Sequence, residues 1–67
     1  MAWEEAKENE LSVRIIKASG LNVPGALRFK WIIEYKVGDQ EWRFFDIRDE
    51  KPDLQEILKE VKEHLEL

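Results

Sequence analysis

The chain of 67 residues contains no cysteine and no threonine, one histidine, two prolines and three glycines. Without cysteine it forms no disulfide, no thiolate nucleophile and no cysteine-ligated metal site. Its uninterrupted apolar runs, such as Trp31-Ile32-Ile33, are no longer than three residues, whereas a membrane-spanning helix needs about 20 such residues. The acidic N-terminus lacks the apolar stretch of a signal peptide. We therefore expect a soluble protein with no membrane segment, compatible with a cytoplasmic location.

The composition that remains is typical of a folded domain. Hydrophobic residues make up 43% of the chain, and three Trp and three Phe are among them, which is too apolar for a disordered segment. A chain this short has room for one core only, so we predict a single domain over residues 1–67. The two ends are acidic and the middle is basic, with a net charge of −4. This net acidity argues against general binding of nucleic acid or anionic membranes.

A C-terminal helix is the clearest element in the pattern. Its apolar residues recur at helical spacing and form one stripe; they are Leu54, Ile57, Leu58, Val61 and Leu65. Asp53 and Glu56 have the spacing of an acidic capping box, and alternatively Pro52 is the first helical residue. Both interpretations begin the helix near residue 53 and extend it close to the end of the chain.

The middle of the chain shows the alternation of β-strands. Residues 26–37 alternate with a period of two, and Gly38-Asp39 then resembles a two-residue hairpin loop. In that register the numbers of paired residues sum to 77, so that Ile33 faces Phe44 and Trp31 faces Asp46. The segment 11–17 supplies a further strand, and 19–25 forms an irregular connection.

The N-terminal segment 2–9 favours a short helix that Asn9 ends in the left-handed conformation. The predicted fold is therefore α+β, a three-stranded antiparallel meander packed by the C-terminal helix, with the order α-β-β-β-α. Its predicted core joins the C-terminal stripe to the apolar side of the sheet, namely Val13, Phe29, Trp31, Ile33, Tyr35, Trp42 and Phe44.

Residues suited to catalysis are scarce and isolated. His64 lies one helical turn after Glu60, but no second histidine accompanies it, and it reads as a solvated residue at a helix end. Ser12 and Ser19 have no neighbouring base. Asp46 falls on the apolar side of the predicted sheet, where burial would raise its pKa. We predict no enzyme activity, no catalytic, cofactor-binding or metal site, and no cofactor.

The far side of the predicted sheet is the one candidate interaction face. It combines apolar residues with basic residues, namely Ile16, Ile32, Phe45 and Ile47 with Arg14, Lys30 and Arg43. Either the N-terminal helix covers it through Trp3 and Ala6, or it is exposed and suits a homodimer or another partner. We expect at least partial exposure and weak self-association. A platform for nucleic-acid bases is not favoured, because acidic residues lie among the cations.

Three resemblances accompany these patterns. The order helix–strand–strand–strand–helix, with Ser19-Gly20 and Pro24-Gly25 between the first two strands, resembles the double-stranded-RNA-binding domain. Where that family places phosphate-gripping lysines, this chain has Glu50-Lys51-Pro52-Asp53, so RNA binding is not implied. The segments 34–38 and 41–43 resemble the hairpin of the phox-homology (PX) domain, whose paired arginines are absent.

The even Glu/Lys helix faces, the clean patterning and the lack of Cys and Thr also resemble computationally designed mini-proteins. That resemblance implies a stable scaffold without enzymatic function, of designed origin. The alternative is a natural protein-interaction module that uses the open face of its sheet. No specific partner follows from the sequence.

Overall fold

A computed structural model describes residues 3–18, 25 and 29–66. These residues form four strands and one helix: β1 (Trp3–Glu8), β2 (Leu11–Lys17), β3 (Trp31–Val37), β4 (Arg43–Arg48) and α1 (Leu54–Leu65). The strands make one antiparallel sheet in the order β1-β2-β3-β4. Helix α1 packs on one side of this sheet, mainly against β1 and β2. We call this the helix side, and the opposite side the open face.

The predicted N-terminal helix is wrong, because residues 3–8 form β1. This strand pairs with β2 from Trp3 opposite Ile16 to Glu8 opposite Leu11. Asn9 has the left-handed φ of 56°, but it turns a two-residue hairpin loop instead of ending a helix. Eight residues are too few for an isolated helix, whereas a neighbouring strand pairs their backbone groups directly. The fold is therefore β-β-β-β-α, with four strands in place of the predicted three.

The second and third strands form the centre of the sheet. The predicted strand 11–17 is confirmed as β2, whereas β3 begins only at Trp31. Phe29 has a left-handed φ of 67°, and this conformation breaks the alternation before β3. Its N–H donates to the carbonyl of Ala18 at 2.7 Å. Its side chain is 67% exposed, so its predicted place in the core is wrong. Residues 26–28 of the predicted strand, and most of the predicted connection 19–25, lie outside the described residues.

The connection between β3 and β4 is longer than predicted. A turn does form at Gly38-Asp39, since Gln40 N–H donates to the Val37 carbonyl at 3.2 Å and Gly38 has a φ of 60°. However, β4 begins only at Arg43, because residues 40–42 leave the ladder and Trp42 packs on the open face.

A bulge then shifts the register of β4 further. Ile32 lies opposite Ile47 and Glu34 opposite Phe44, with Phe45 as the extra residue between the two registers. The predicted sum of 77 is therefore wrong, and Asp46 lies opposite Ile33 instead of Trp31. The bulge carries Phe45 to the helix side.

The core lies between the helix side and α1. Its buried members come from β2, β3 and α1, and they are Leu11, Val13, Ile15, Ile33, Ile57, Leu58 and Val61. Ala6 packs against this cluster from β1, where its small side chain lets the helix approach. The stripe on α1 is confirmed as the core side of the helix. Trp42 and Phe44, predicted in the core, lie on the open face.

The ends of α1 are fixed by local contacts. Asp53 is the N-cap, and its carboxylate accepts the N–H of Gln55 at 2.8 Å. Glu66 is the C-cap and has the left-handed conformation, and its N–H donates a hydrogen bond to the Glu63 carbonyl. Ion pairs from Lys62 to Glu8 and from Lys51 to Glu4 connect α1 and the residues before it to β1. In the part of the chain that the structure describes, no helix is long and apolar enough to cross a membrane.

Candidate interaction face

The open face carries an apolar row that crosses all four strands. The register places Trp3 beside Ile16, Ile16 beside Ile32, and Ile32 beside Ile47. Trp3 is 53% exposed, and the three isoleucines are partly exposed. Helix α1 packs on the opposite side, and no other described helix or strand lies over this row. These four residues, which we call the apolar row, form a contiguous strip from one edge of the sheet to the other.

The neighbouring row is charged at its centre. It consists of Glu5, Arg14, Glu34 and Phe44, again in cross-strand register. Arg14 Nε donates to Glu34 Oε1 at 2.8 Å, and both side chains remain partly exposed. Phe44 is 59% exposed at the β4 end of this row. We call these four residues the charged row.

Two tryptophans hold the Arg14 side chain in place. Its guanidinium carbon lies 4.1 Å from the centre of the Trp42 ring and 5.7 Å from that of Trp3. The ammonium of Lys36 lies 5.1 Å from the Trp42 ring as well. Each cation–π contact of this kind contributes about 0.5–1 kcal/mol at an exposed site. Arg14 thus contacts Glu34 and both tryptophan rings on the open face.

Four of the seven residues predicted for the interaction face lie on the open face. They are Ile16, Ile32, Ile47 and Arg14. Phe45 does not, because the bulge carries it to the helix side, where its ring meets Tyr35 and His64 edge to face at 6.2 and 5.4 Å.

The other two predicted basic residues lie at the margins. Lys30 precedes β3 and is ion-paired with Asp49. Arg43 lies opposite Tyr35, which packs against the core, so the register puts Arg43 on the helix side at the end of β4. The aromatic residues Trp3, Trp42 and Phe44 take the place predicted for Phe45. The sequence pattern predicts a helix at Trp3 and core positions for Trp42 and Phe44, and these predictions are wrong.

The Asp46 carboxylate is hydrogen-bonded by its neighbours in β4. Its two carboxylate oxygens accept the N–H of Ile47 and Nε of Arg48, each at 2.8 Å. The bond from Arg48, and then the bond from the Ile47 amide, lower the pKa of Asp46, so the predicted upward shift is wrong. Arg48 also donates to Glu60 at 2.9 Å. This chain of contacts joins β4 to α1.

The other polar candidates are His64 and Ser12, and the structure places them apart from each other in α1 and β2. His64 is exposed and its ring meets that of Phe45 edge to face, while the Glu60 carboxylate accepts a hydrogen bond from Arg48. Ser12 is buried in β2, and Ser19 lies outside the described residues. Among residues 3–18, 25 and 29–66, no group of three His, Asp or Glu side chains is placed to hold a metal ion.

Both edges of the sheet are protected against pairing with another strand. Edge strand β1 carries four charged side chains in six residues, Glu4, Glu5, Lys7 and Glu8. Edge strand β4 is bulged, and the Asp46 carboxylate occupies the N–H of Ile47. Charges and bulges of this kind oppose edge-to-edge association. Among the described strands, the open face is therefore a better candidate contact surface than either edge of the sheet.

A shallow cavity lies at the tip of the β1–β2 hairpin, away from the apolar row. It encloses about 510 Å³ and is lined by Glu8, Asn9, Glu10, Leu11, Val37 and Lys62. Two of these charged side chains, Glu8 and Lys62, form an ion pair with each other. The cavity offers no ring and no array of donors, so the open face is the stronger candidate site.

No protein-family model, curated protein or solved structure matches the chain. The element order that carried the resemblance to the double-stranded-RNA-binding domain depended on an N-terminal helix, and β1 occupies that position. The candidate function therefore rests on the geometry of the open face.

Proposed function

We propose that the chain is a non-catalytic interaction module and that the open face is its contact surface. The observation that carries this proposal is the apolar row, which includes the exposed Trp3 and lies next to the exposed Phe44 of the charged row. Contiguous apolar surface rimmed by polar groups marks contact sites on small proteins. Trp and Arg, which meet here, are also the residue types that dominate binding energy in interfaces.

The contacts that Arg14 makes within this face support the same proposal. Arg14 is held by Glu34 and by two rings, so little side-chain entropy is lost when a partner covers it. A module of this kind binds through surface already in place and needs no rearrangement of its sheet.

Two other functions fit the open face less well. A scaffold without a partner has no use for exposed Trp3 and Phe44, although a designed origin remains a prediction from the sequence. A nucleic-acid platform needs free ring faces for base stacking. Arg14 already lies over Trp3 and Trp42, and Lys36 lies over Trp42.

The six isoleucines provide an internal test of this surface. Three lie on the open face, Ile16, Ile32 and Ile47, and three are fully buried on the other side, Ile15, Ile33 and Ile57. We expect 8-anilinonaphthalene-1-sulfonate, a probe of apolar surface, to shift the methyl signals of the first three in a ¹³C-methyl NMR titration, carried out at a concentration at which the protein is monomeric. The buried three should stay in place. Shifts confined to the buried set, or no binding, would contradict the proposal.

Two exposed phenylalanines make a matched pair of variants for the same titration. Phe44 and Phe29 are similarly exposed, but Phe44 lies in β4 on the open face, whereas Phe29 precedes β3 and belongs to neither row. Phe44→Ala should weaken binding of the probe by about threefold to tenfold, the value of one aromatic contact. Phe29→Ala should leave the affinity unchanged.

A further inference from the structure

The open face is complementary to its own image. Resting on the proposed function, we propose that the partner is a second copy of this chain, packed sheet to sheet about a two-fold axis that runs along the strands. The axis passes over the midline between β2 and β3. It places β2 of one copy over β3 of the other, and β1 over β4. Aligned packing of two sheets is a common arrangement of twisted antiparallel sheets.

The apolar row meets itself under this operation. Ile16 of one copy faces Ile32 of the second, and Trp3 faces Ile47 of the second. Each contact occurs twice, as a two-fold axis requires. The partly exposed isoleucines of the row are then covered by apolar groups along its full length.

The charged row decides the direction of the axis. Arg14 and Glu34 lie side by side on β2 and β3, one on each side of the midline. An axis along the strands therefore brings Arg14 of one copy over Glu34 of the second, and the reverse, so four charges alternate in sign. An axis across the strands through this row would instead place Arg14 over the second copy's Arg14, and Glu34 over its Glu34. Opposite charges attract and like charges repel at this range, so the first axis is favoured.

The size of the face sets the expected strength of the dimer. Four strands about 4.8 Å apart and about seven residues long give a flat area of roughly 400 Å². That is the per-partner area of the small class of interfaces, which bury less than about 1,200 Å² in total. We expect a reversible dimer with a dissociation constant in the micromolar range. The charged and bulged edges keep this dimer closed, because they oppose further strand pairing.

Charge-reversal variants test the proposed partner. In sedimentation equilibrium from micromolar to millimolar concentration, the wild type should form dimers. Arg14→Glu or Glu34→Arg alone should raise the dissociation constant at least about tenfold, since each puts like charges in contact. An equimolar mixture of the two variants should form a heterodimer, because each supplies the charge that the other lacks. The double variant Arg14→Glu/Glu34→Arg should dimerise like the wild type, and it controls for folding.

The axis itself has a specific signature. Trp3 and Ile47 lie on opposite edges of one sheet, about 14 Å apart at three strand spacings, too far for a nuclear Overhauser effect (NOE) within a copy. A sample that mixes ¹³C-labelled and unlabelled protein should show an intermolecular NOE between them. A wild type that stays monomeric at millimolar concentration overturns the dimer, and so does a dimer without this NOE. If the probe of apolar surface still binds the open face in that case, the interaction module stands and its partner is a different protein.

Discussion

Replacing Ile33 by alanine is expected to lower the free energy of unfolding by about 2–5 kcal/mol. Ile33 is fully buried in the middle of β3, opposite Ile15 and within the cluster that α1 covers. Truncation removes three carbons from a site enclosed on all sides, so the cavity is expected to persist. A domain of this size has a total stability of about 3–10 kcal/mol, so this one change removes much of it. Urea denaturation followed by circular dichroism measures the loss.

The adjacent residue is the matched control. Ile32 has the same side chain in the same strand, but it lies on the open face and is partly exposed. Ile32→Ala, measured at a concentration at which the protein is monomeric, should cost clearly less, about 1 kcal/mol. Equal losses for the two variants would mean that both sides of β3 are covered, and that the open face is not open.

Phe45→Ala is expected to cost about 2–4 kcal/mol, whereas Phe44→Ala should cost less than about 1 kcal/mol. Phe45 is partly buried on the helix side and packs edge to face with Tyr35 and with His64 of α1. Phe44 is mostly exposed on the open face. The two substitutions remove the same side chain from neighbouring positions, so the difference between them reports the side on which each ring lies.

The order of these two losses tests the bulge in β4. With the bulge, Phe45 stabilises the contact between the sheet and α1, and Phe44 contributes to the open face. In an unbulged hairpin with paired numbers that sum to 77, Phe44 would lie in the core. A larger loss for Phe44→Ala than for Phe45→Ala would therefore contradict the register of β3 and β4. Thermal unfolding of both variants is sufficient to rank them.

Strand β2 and helix α1 could be predicted from sequence because their periodicity is strong. The apolar residues of β2 alternate over the full strand, and those of α1 keep one stripe over three turns. In a regular strand, the side of the sheet on which a residue lies depends only on whether its number is odd or even. For the same reason Ile16 and Ile32 could be placed on the open face although the predicted fold lacked a strand.

The first strand could not be predicted because its local pattern favours another structure. Ala6, Lys7 and the glutamates around them are good helix formers, and β1 shows no apolar alternation. Pairing with β2, a tertiary feature, decides its conformation. The left-handed Asn9 does not decide between the two structures, because the same conformation ends a helix or turns a hairpin. For this reason the place of Trp3 in the apolar row could not be predicted, because Trp3 belongs to that row only if residues 3–8 are extended.

The bulge explains the remaining errors at the site. Phe45 and Ile47 have the same parity, so regular alternation places them on one side of the sheet. One extra residue between the two registers separates them, and it leaves Phe44 on the open face. Adjacent phenylalanines give no signal of which one is extra. The predicted place of Trp42 in the core is wrong for a related reason, because its contact with Arg14 depends on a loop longer than two residues.

The proposed interaction face depends most on β1, because Trp3 completes the apolar row only if this segment pairs with β2. NOESY spectra of the monomeric protein test this pairing most directly. We expect cross-strand NOEs from the Trp3 ring to the Ile16 side chain and from Ala6 to Val13, with strong sequential contacts typical of extended backbone over residues 3–8. Strong amide-to-amide NOEs along 3–8, with contacts between residues three apart, would show a helix there and contradict the account.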